Sequence, residues 1–424
     1  MITRFFAMLA IVLASFFPEL SPAFAVAATA AAANPSTLTF AQALVKATAS
    51  APTIAARGLQ ADAARESARA AAALPDPQLQ LGFEGFPVSG PTAFDPGRES
   101  FSAVRVGVSQ DVPNAAKRRA RAAFAAAAIG SADAERRAEL RSVEIATGLA
   151  WLELHFADRK LAALANLDTS IAAMATTAAA QTVSGSLRPA QTLEPARLRG
   201  DLEDRRSALR AVAARARAEL TRWTGDADPA AAGAPPALTV DPARLRQAVD
   251  DLPALQVYAA SAAQADADVN LANAEKRPDW AWQASFAARD PRFGNMVGAG
   301  ISIGLPFWKR DRQDPLAMAK RLEADRARLD NDAAHRAAIA SLAGDLADHA
   351  MHEERLRTVT ELVLPIAERR AALDRASYAA GRATLGEALD AALALAVARL
   401  DRLDREADVA RDAVRINLTY GNDL

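Results

Sequence analysis

The chain has 424 residues, with 50 Lys and Arg against 51 Asp and Glu and a formal net charge of -1, which gives no electrostatic case for a nucleic-acid partner. Hydrophobic residues reach 51% while aromatic ones are only 5%, so alanine carries the apolar content, as in long helices packed through small side chains. Cysteine is absent, which excludes disulfides, thiolate metal sites and a lipid anchor on an N-terminal cysteine.

Residues 1–25 read as a secretory signal: Arg4 supplies the positive region, Phe5 to Phe17 the apolar region and Ala23-Phe24-Ala25 the small-residue cleavage site. No later segment approaches the 18 uncharged apolar residues of a transmembrane helix, so any membrane contact is expected to run through strands. A first structural repeat is expected over 26–225. Thr39 can cap a helix from Phe40 to Leu74, with Pro52 near its start and Pro75-Asp76-Pro77 at its end. Gln78 to Glu84 alternates polar and apolar residues, the period of a strand with two different faces. A Pro/Gly/Ser-rich loop leads into a return strand from Phe101 to Val112, completing a hairpin over 78–112. It carries Val104, Val106 and Val108 on one face, and Arg105 and Ser109 on the other.

A basic cluster (Lys117, Arg118, Arg119, Arg121) then opens a helix that no proline interrupts between 114 and 188. Over most of that span it would be about 100 Å long. Leu140, Val143, Thr147, Ala150, Leu154, Ala157, Leu161, Leu164, Asp168 and Ile171 follow alternating three- and four-residue steps, a coiled-coil seam. A tip turn at 183–188 reverses the chain into a helix that ends near Gly225, followed by a Pro/Ala/Gly linker at 226–241.

The plan recurs over 242–424. A helix from Pro242 to Lys276 stops at Pro278-Asp279, and a hairpin over 279–306 follows. Trp280, Trp282, Ala284 and Phe286 share one face of its first strand, and Val297, Ala299, Ile301, Ile303 and Leu305 one side of its second. Ala299 to Pro306 answers Val106 to Pro113, and Lys309, Arg310 and Arg312 answer the first basic cluster. A second long helix runs from Pro315 to Ala380, bent near Pro365, then a tip turn at 378–384 and a last helix in heptad steps.

Four strands of about ten residues match the length that crosses an outer membrane. Four cannot close a barrel, and open edges are not tolerated in lipid, so several copies must complete the wall. Three copies give a trimeric 12-stranded barrel. Trp280, Trp282, Trp308, Phe83, Phe86, Phe101, Phe286 and Phe307 cluster in or beside the strands, as an interfacial belt would. The alternative is a soluble hairpin pair with a buried aromatic face.

These features resemble the TolC-type outer-membrane efflux proteins, duplication included. Leu74-Pro-Asp-Pro77, Gly107 to Pro113 with Lys117-Arg118-Arg119, Arg277-Pro-Asp-Trp280 and Ile303 to Pro315 are most similar to the heavy-metal (RND-type) efflux branch. The resemblance implies a mainly α chain with transmembrane β. A trimeric 12-stranded outer-membrane barrel would continue as a coiled-coil tunnel into the periplasm, docked on a periplasmic adaptor (membrane fusion) protein and an inner-membrane RND transporter. It implies a passive conduit for heavy-metal cations, with no enzyme activity and no cofactor.

It further implies a periplasmic aperture at Glu387 and Asp390, which share a helix face, with Tyr378 and Arg382 at a closing latch whose usual arginine position holds Ala383. Gln191 and Glu194 are the first-repeat tip equivalents, and Gly185, Leu187, Gly381 and Leu385 the adaptor-docking positions. His349 and His352 are weak metal candidates, read as surface residues for want of a third ligand. A drug or protein export channel of the same fold, a soluble periplasmic coiled-coil scaffold and a metal hydrolase around His349 and His352 are the competing readings.

Overall fold

A computed structural model describes residues 36–183 and 193–421, without the side chains of 166, 170, 174, 175 and 177–183. The signal segment at 1–25 and most of the first tip turn lie outside the described residues.

Thr39 caps α1 (Phe40–Ser50) through a capping box with Gln42, and Phe40, Ala43 and Ala47 bury one stripe of it. Pro52 opens α2 (Pro52–Ala71), where its missing N–H costs the helix nothing. Strands β2 (Gln78–Glu84) and β3 (Ala103–Val112) follow. Then α3 runs unbroken from Ala115 to Val183, 69 residues, about 100 Å. α2 lies along its first half, tied by Arg57–Glu135 at 2.7 Å and Arg65–Asp133 at 2.6 Å. α4 (Glu194–Thr224) lies along its second half, where Leu198 and Leu202 meet Leu164, Leu167 and Ile171, and Arg206 pairs with Asp168. Ser50 at the end of α1 donates from Oγ to the Trp223 carbonyl at the end of α4 (3.1 Å). The shorter helices thus stack end to end beside the long one.

The segment read as a linker contains a strand, β4 (Pro229–Ala231), paired in parallel with β1 (Ser36–Leu38). Trp151, fully buried on α3, donates from Nε1 to the Leu38 carbonyl (2.8 Å), meets Phe40 edge-on at 5.6 Å and stacks on His155 at 5.1 Å. Burial there pushes the His155 imidazole below its usual range.

The helix expected over 242–276 is two: α5 (Pro242–Ala248), a 3₁₀ turn, and α6 (Pro253–Ala274). Pro253 forces extended backbone on Leu252 (ψ 128°) and ends the first piece. After β5 (Trp280–Ala288) and β6 (Met296–Ile303) comes α7 (Gln313–Thr358), flanked by α6 through Arg328–Asp266 (2.5 Å) and by α9 (Leu385–Tyr420) through Arg415–Asp345 (2.8 Å). A π turn at Val359–Val363 separates α7 from α8 (Leu364–Ala379). Pro365 has no N–H for the Glu361 carbonyl, and the wider turn absorbs the fault.

The four long strands make one antiparallel sheet in the order β2-β3-β5-β6. Leu81 sits opposite Val106, Val106 opposite Phe286, and Phe286 opposite Val297. The same registers set Gly82 beside Arg105 and Ser109 beside Gln283 on the other face.

Candidate functional site

Two regions hold the candidate residues: the sheet with its junction to the helices, and the far tip where α8 turns into α9. On the sheet, strict alternation divides Leu79, Leu81, Phe83, Trp282, Phe286 and Ile301 from Gln80, Gly107, Ser109, Gln283 and Gly300. The apolar face is not covered by the chain: Leu81 is 71% exposed and Ile301 72%. A soluble hairpin pair would bury these side chains. The outer strands β2 and β6 each pair on one side only within the chain. No helix among the described residues is long and apolar enough to cross a membrane.

Asp279 binds the two repeats together at the junction. Its carboxylate accepts from the Asn114 N–H (2.8 Å), from Asn114 Nδ2 (2.8 Å) and from Lys117 Nζ (3.0 Å), while Asn114 Oδ1 caps α3 at the Lys117 N–H (2.8 Å). Burial pushes the carboxyl up, but the Asn114 backbone and Lys117 bonds outweigh it and hold it below the usual range.

At the tip, α8 ends in a Schellman motif. The Arg382 N–H donates to the Ser377 carbonyl (2.8 Å) and the Gly381 N–H to that of Tyr378 (3.0 Å), with Gly381 at φ 69°. Thr384 starts α9 with a second capping box. Glu387 accepts from the Thr384 N–H (2.7 Å) and Oγ1 (2.9 Å), and its own N–H donates back to Thr384 Oγ1 (3.3 Å). These bonds hold the Glu387 carboxyl below its usual range. The Thr384-x-x-Glu387 spacing is itself the signature of such a cap, a role for Glu387 beside that of an aperture acid. Asp390, one turn on, is exposed.

Arg197 stands at this end of α4. It pairs with Glu194 (3.1 Å) and Asp201 (3.7 Å), and with Asp390 nearby these charges hold its guanidinium above the usual range. Tyr378 packs at the edge of the tip core, where burial raises its hydroxyl. Arg382 is exposed. Leu385, an expected docking position, is fully buried in the tip core with Leu167, Ile171, Leu198 and Leu389. Gly381, at the exposed turn, remains accessible. Gly185, Leu187 and Gln191 lie outside the described residues.

His349 lies in the interior, whereas His352 is part-exposed. His352 Nδ1 lies 2.6 Å from Asp412 Oδ2. Asp412 also meets Arg415, which pairs with Asp345, itself bonded to the Tyr420 hydroxyl (3.1 Å). The histidine thus belongs to a charged network joining α7 to α9. Among the described residues no group of three or more His, Asp or Glu is placed to hold a metal.

Residues 245–422 match the family described as outer membrane efflux protein. No curated protein sequence gives a significant match. Among solved structures, the chain is similar to CusC, described for its folding and transmembrane channel formation, at 14% identity and TM-score 0.78 over 91% of this chain and 92% of that one. It is similar to a membrane protein from Pseudomonas aeruginosa at 15% identity and TM-score 0.78, covering 90% of each chain. The outer-membrane channel OprN follows at 16% identity and TM-score 0.76 over 91% of this chain and 90% of that one. The fold is that of these channels, mainly α with a four-stranded sheet per chain.

Proposed function

We propose that this chain, built on the fold of the outer-membrane efflux channels, is the outer-membrane conduit of a tripartite efflux system. Three copies close one barrel over a helical tunnel that extends into the periplasm. The observation that carries the reading is the sheet: one exposed apolar face, one polar and small face, and two unpaired edges, on strands of 7 to 10 residues. A wall of this kind is complete only when β6 of one copy meets β2 of the next.

An apolar stripe on the long helices gives further support. Leu322, Leu329, Leu362, Ile366 and Leu373 are all exposed on α7, its π turn and α8, and a neighbouring copy would cover them. Purified mature protein in detergent is expected to run as a trimer and to conduct ions in planar bilayers. A monomer that stays in water and forms no pores defeats the proposal.

In this reading a periplasmic adaptor and an inner-membrane RND transporter supply the cargo and the energy, and the chain itself performs no chemical step. The aperture is the ring of Glu387 and Asp390 with Glu194, partly neutralised by Arg197, which favours cations. Heavy-metal cations are the proposed cargo, supported by the motifs around Pro77, Pro113, Trp280 and Pro315. Deleting the gene is expected to sensitise cells to copper, silver or divalent cations. Unchanged metal tolerance with new drug sensitivity favours the drug-export reading of the same fold.

A further inference from the structure

Charge is handled differently at the two ends of the sheet. At the loop end, Arg105 pairs with Glu84 (2.7 Å), and Arg292 bonds Asp290 (3.0 Å) and the Gly97 carbonyl (2.7 Å). Arg289 donates to the carbonyls of Gly294 (2.8 Å) and Ser100 (3.1 Å). Of the arginines there, Arg98 alone lacks such a bond among the described residues.

At the helix end of β6 the pattern inverts. Arg277, Lys309, Arg310 and Arg312 make no ion pair or side-chain hydrogen bond among the described residues. They form one patch, because the Gly304 N–H is tied to the Asp279 carbonyl (2.9 Å) and Lys276 to Asp314 (2.9 Å), which sets Arg277 beside the start of α7. The second tie also occupies the carboxylate in the first turn of α7. Phe307 and Trp308 lie in the same turn, 76% and 72% exposed, with ring centroids 6.4 Å apart. They follow directly on the exposed Ile301, Ile303 and Leu305. The equivalent junction after β3 also carries arginines without such a bond among the described residues (Arg118, Arg119 and Arg121), but it lacks the aromatic pair: Asn114 and Ala115 stand after Pro113 where Phe307 and Trp308 follow Pro306, and Lys117 is paired with Asp279.

We propose that Phe307, Trp308, Lys309, Arg310 and Arg312, with Arg277, form a binding surface for anionic phospholipid headgroups of the leaflet that faces the helices. The proposal rests on the membrane-spanning reading of the sheet. Unpaired cations beside an apolar wall need an anion of matching position, and a lipid phosphate supplies it at headgroup depth. Exposed aromatic rings at the same level have their place in that interface. Free phosphate would leave the rings in water, so a lipid in a bilayer is the occupant that satisfies both halves of the patch.

The test reconstitutes the full chain in phosphatidylcholine vesicles containing phosphatidylglycerol, with dibrominated acyl chains on one lipid or the other, and reads tryptophan quenching. The native chain is expected to prefer phosphatidylglycerol at least five-fold, the equivalent of one cation near an anionic surface. Lys309→Gln with Arg310→Gln and Arg312→Gln is expected to reduce the ratio to near one. Raising salt is expected to erode the native preference, so the native chain alone decides the matter if the triple variant does not insert. Equal quenching by both lipids, or a preference indifferent to salt, overturns the lipid site and leaves the channel reading intact. No quenching by either lipid overturns the membrane reading and the site with it.

Discussion

α3 runs 69 residues without a break, whereas its counterpart in the second repeat covers nearly the same span in three pieces: 46 residues of α7, 5 of the π turn and 16 of α8. The two also differ in what surrounds them. α3 packs against α2, α4, α6 and α9, while α7 packs on α6 and α9, and α8 on α9. α3 buries Trp151, Leu152, Leu154 and Phe156; α7 buries mostly alanines with Leu342 and His349. One long helix is thus the spine that joins the chain to itself. The other keeps an apolar flank outward and contains the only π turn among the described residues.

Trp151→Ala strikes the spine and carries the largest expected effect. It removes a fully buried ring and the bond that anchors β1, at a cost of about 3–5 kcal/mol. Chemical denaturation followed by circular dichroism checks it, and a loss under about 1 kcal/mol means that α3 is not the organising element. Leu329→Asp strikes the outward flank of α7, which is 68% exposed in the single chain. It is expected to leave helix content unchanged and to destabilise the trimer by about 1.5–3 kcal/mol per lost leucine contact, read by sedimentation in detergent. An unaltered trimer there removes the flank from the subunit interface.

Pro365→Ala sharpens the contrast between straight and interrupted helices. With an N–H restored at 365, the Glu361 carbonyl gains a donor and the π turn is expected to close into α-helix, slowing amide exchange across 361–366. If exchange is unchanged, packing around the buried Val359 and not the proline sustains the turn.

Much of this contrast is legible in the residues themselves, because it rests on local rules. Pro365 marks the bend, Thr39 and Gln42 write the first cap, and alternation from Gln78 to Glu84 separates two faces whatever lies beyond them. Other features depend on partners distant in sequence. β1 and β4 are three-residue strands of Ser-Thr-Leu and Pro-Ala-Ala, too short for any periodicity. A heptad pattern gives Leu389 an inward face, but Leu385 is buried only because α3 and α4 close over the first turn of α9. The pairing of Arg197 with Glu194 follows helical spacing. The tie of His352 to Asp412 in α9, by contrast, is out of reach of helical spacing alone.

The smallest expected effect lies at the second tip, where the interrupted helix ends and α9 begins. Thr384→Ala removes the cap donor and acceptor together and is expected to cost about 1 kcal/mol locally, seen as faster exchange of the first amides of α9. The other half of the box gives the same region a pH dependence. Glu387 has a folded-state carboxyl held below its unfolded value by the Thr384 bonds. Its contribution is therefore complete above the unfolded range, near pH 4.3 for glutamate, and is lost as pH falls through the depressed folded value. Exchange at the α9 start, corrected for intrinsic rates, should accelerate over that acid window. Glu387→Gln should remove the acceleration, because a neutral amide still accepts from the Thr384 N–H but does not titrate. Asp279 also has a depressed carboxyl, but it acts at the strand–helix junction, so its acid loosening appears around Asn114 and Lys117 rather than at the tip. Acid sensitivity that persists at the α9 start in Glu387→Gln would mean that the capping carboxylate is not its source.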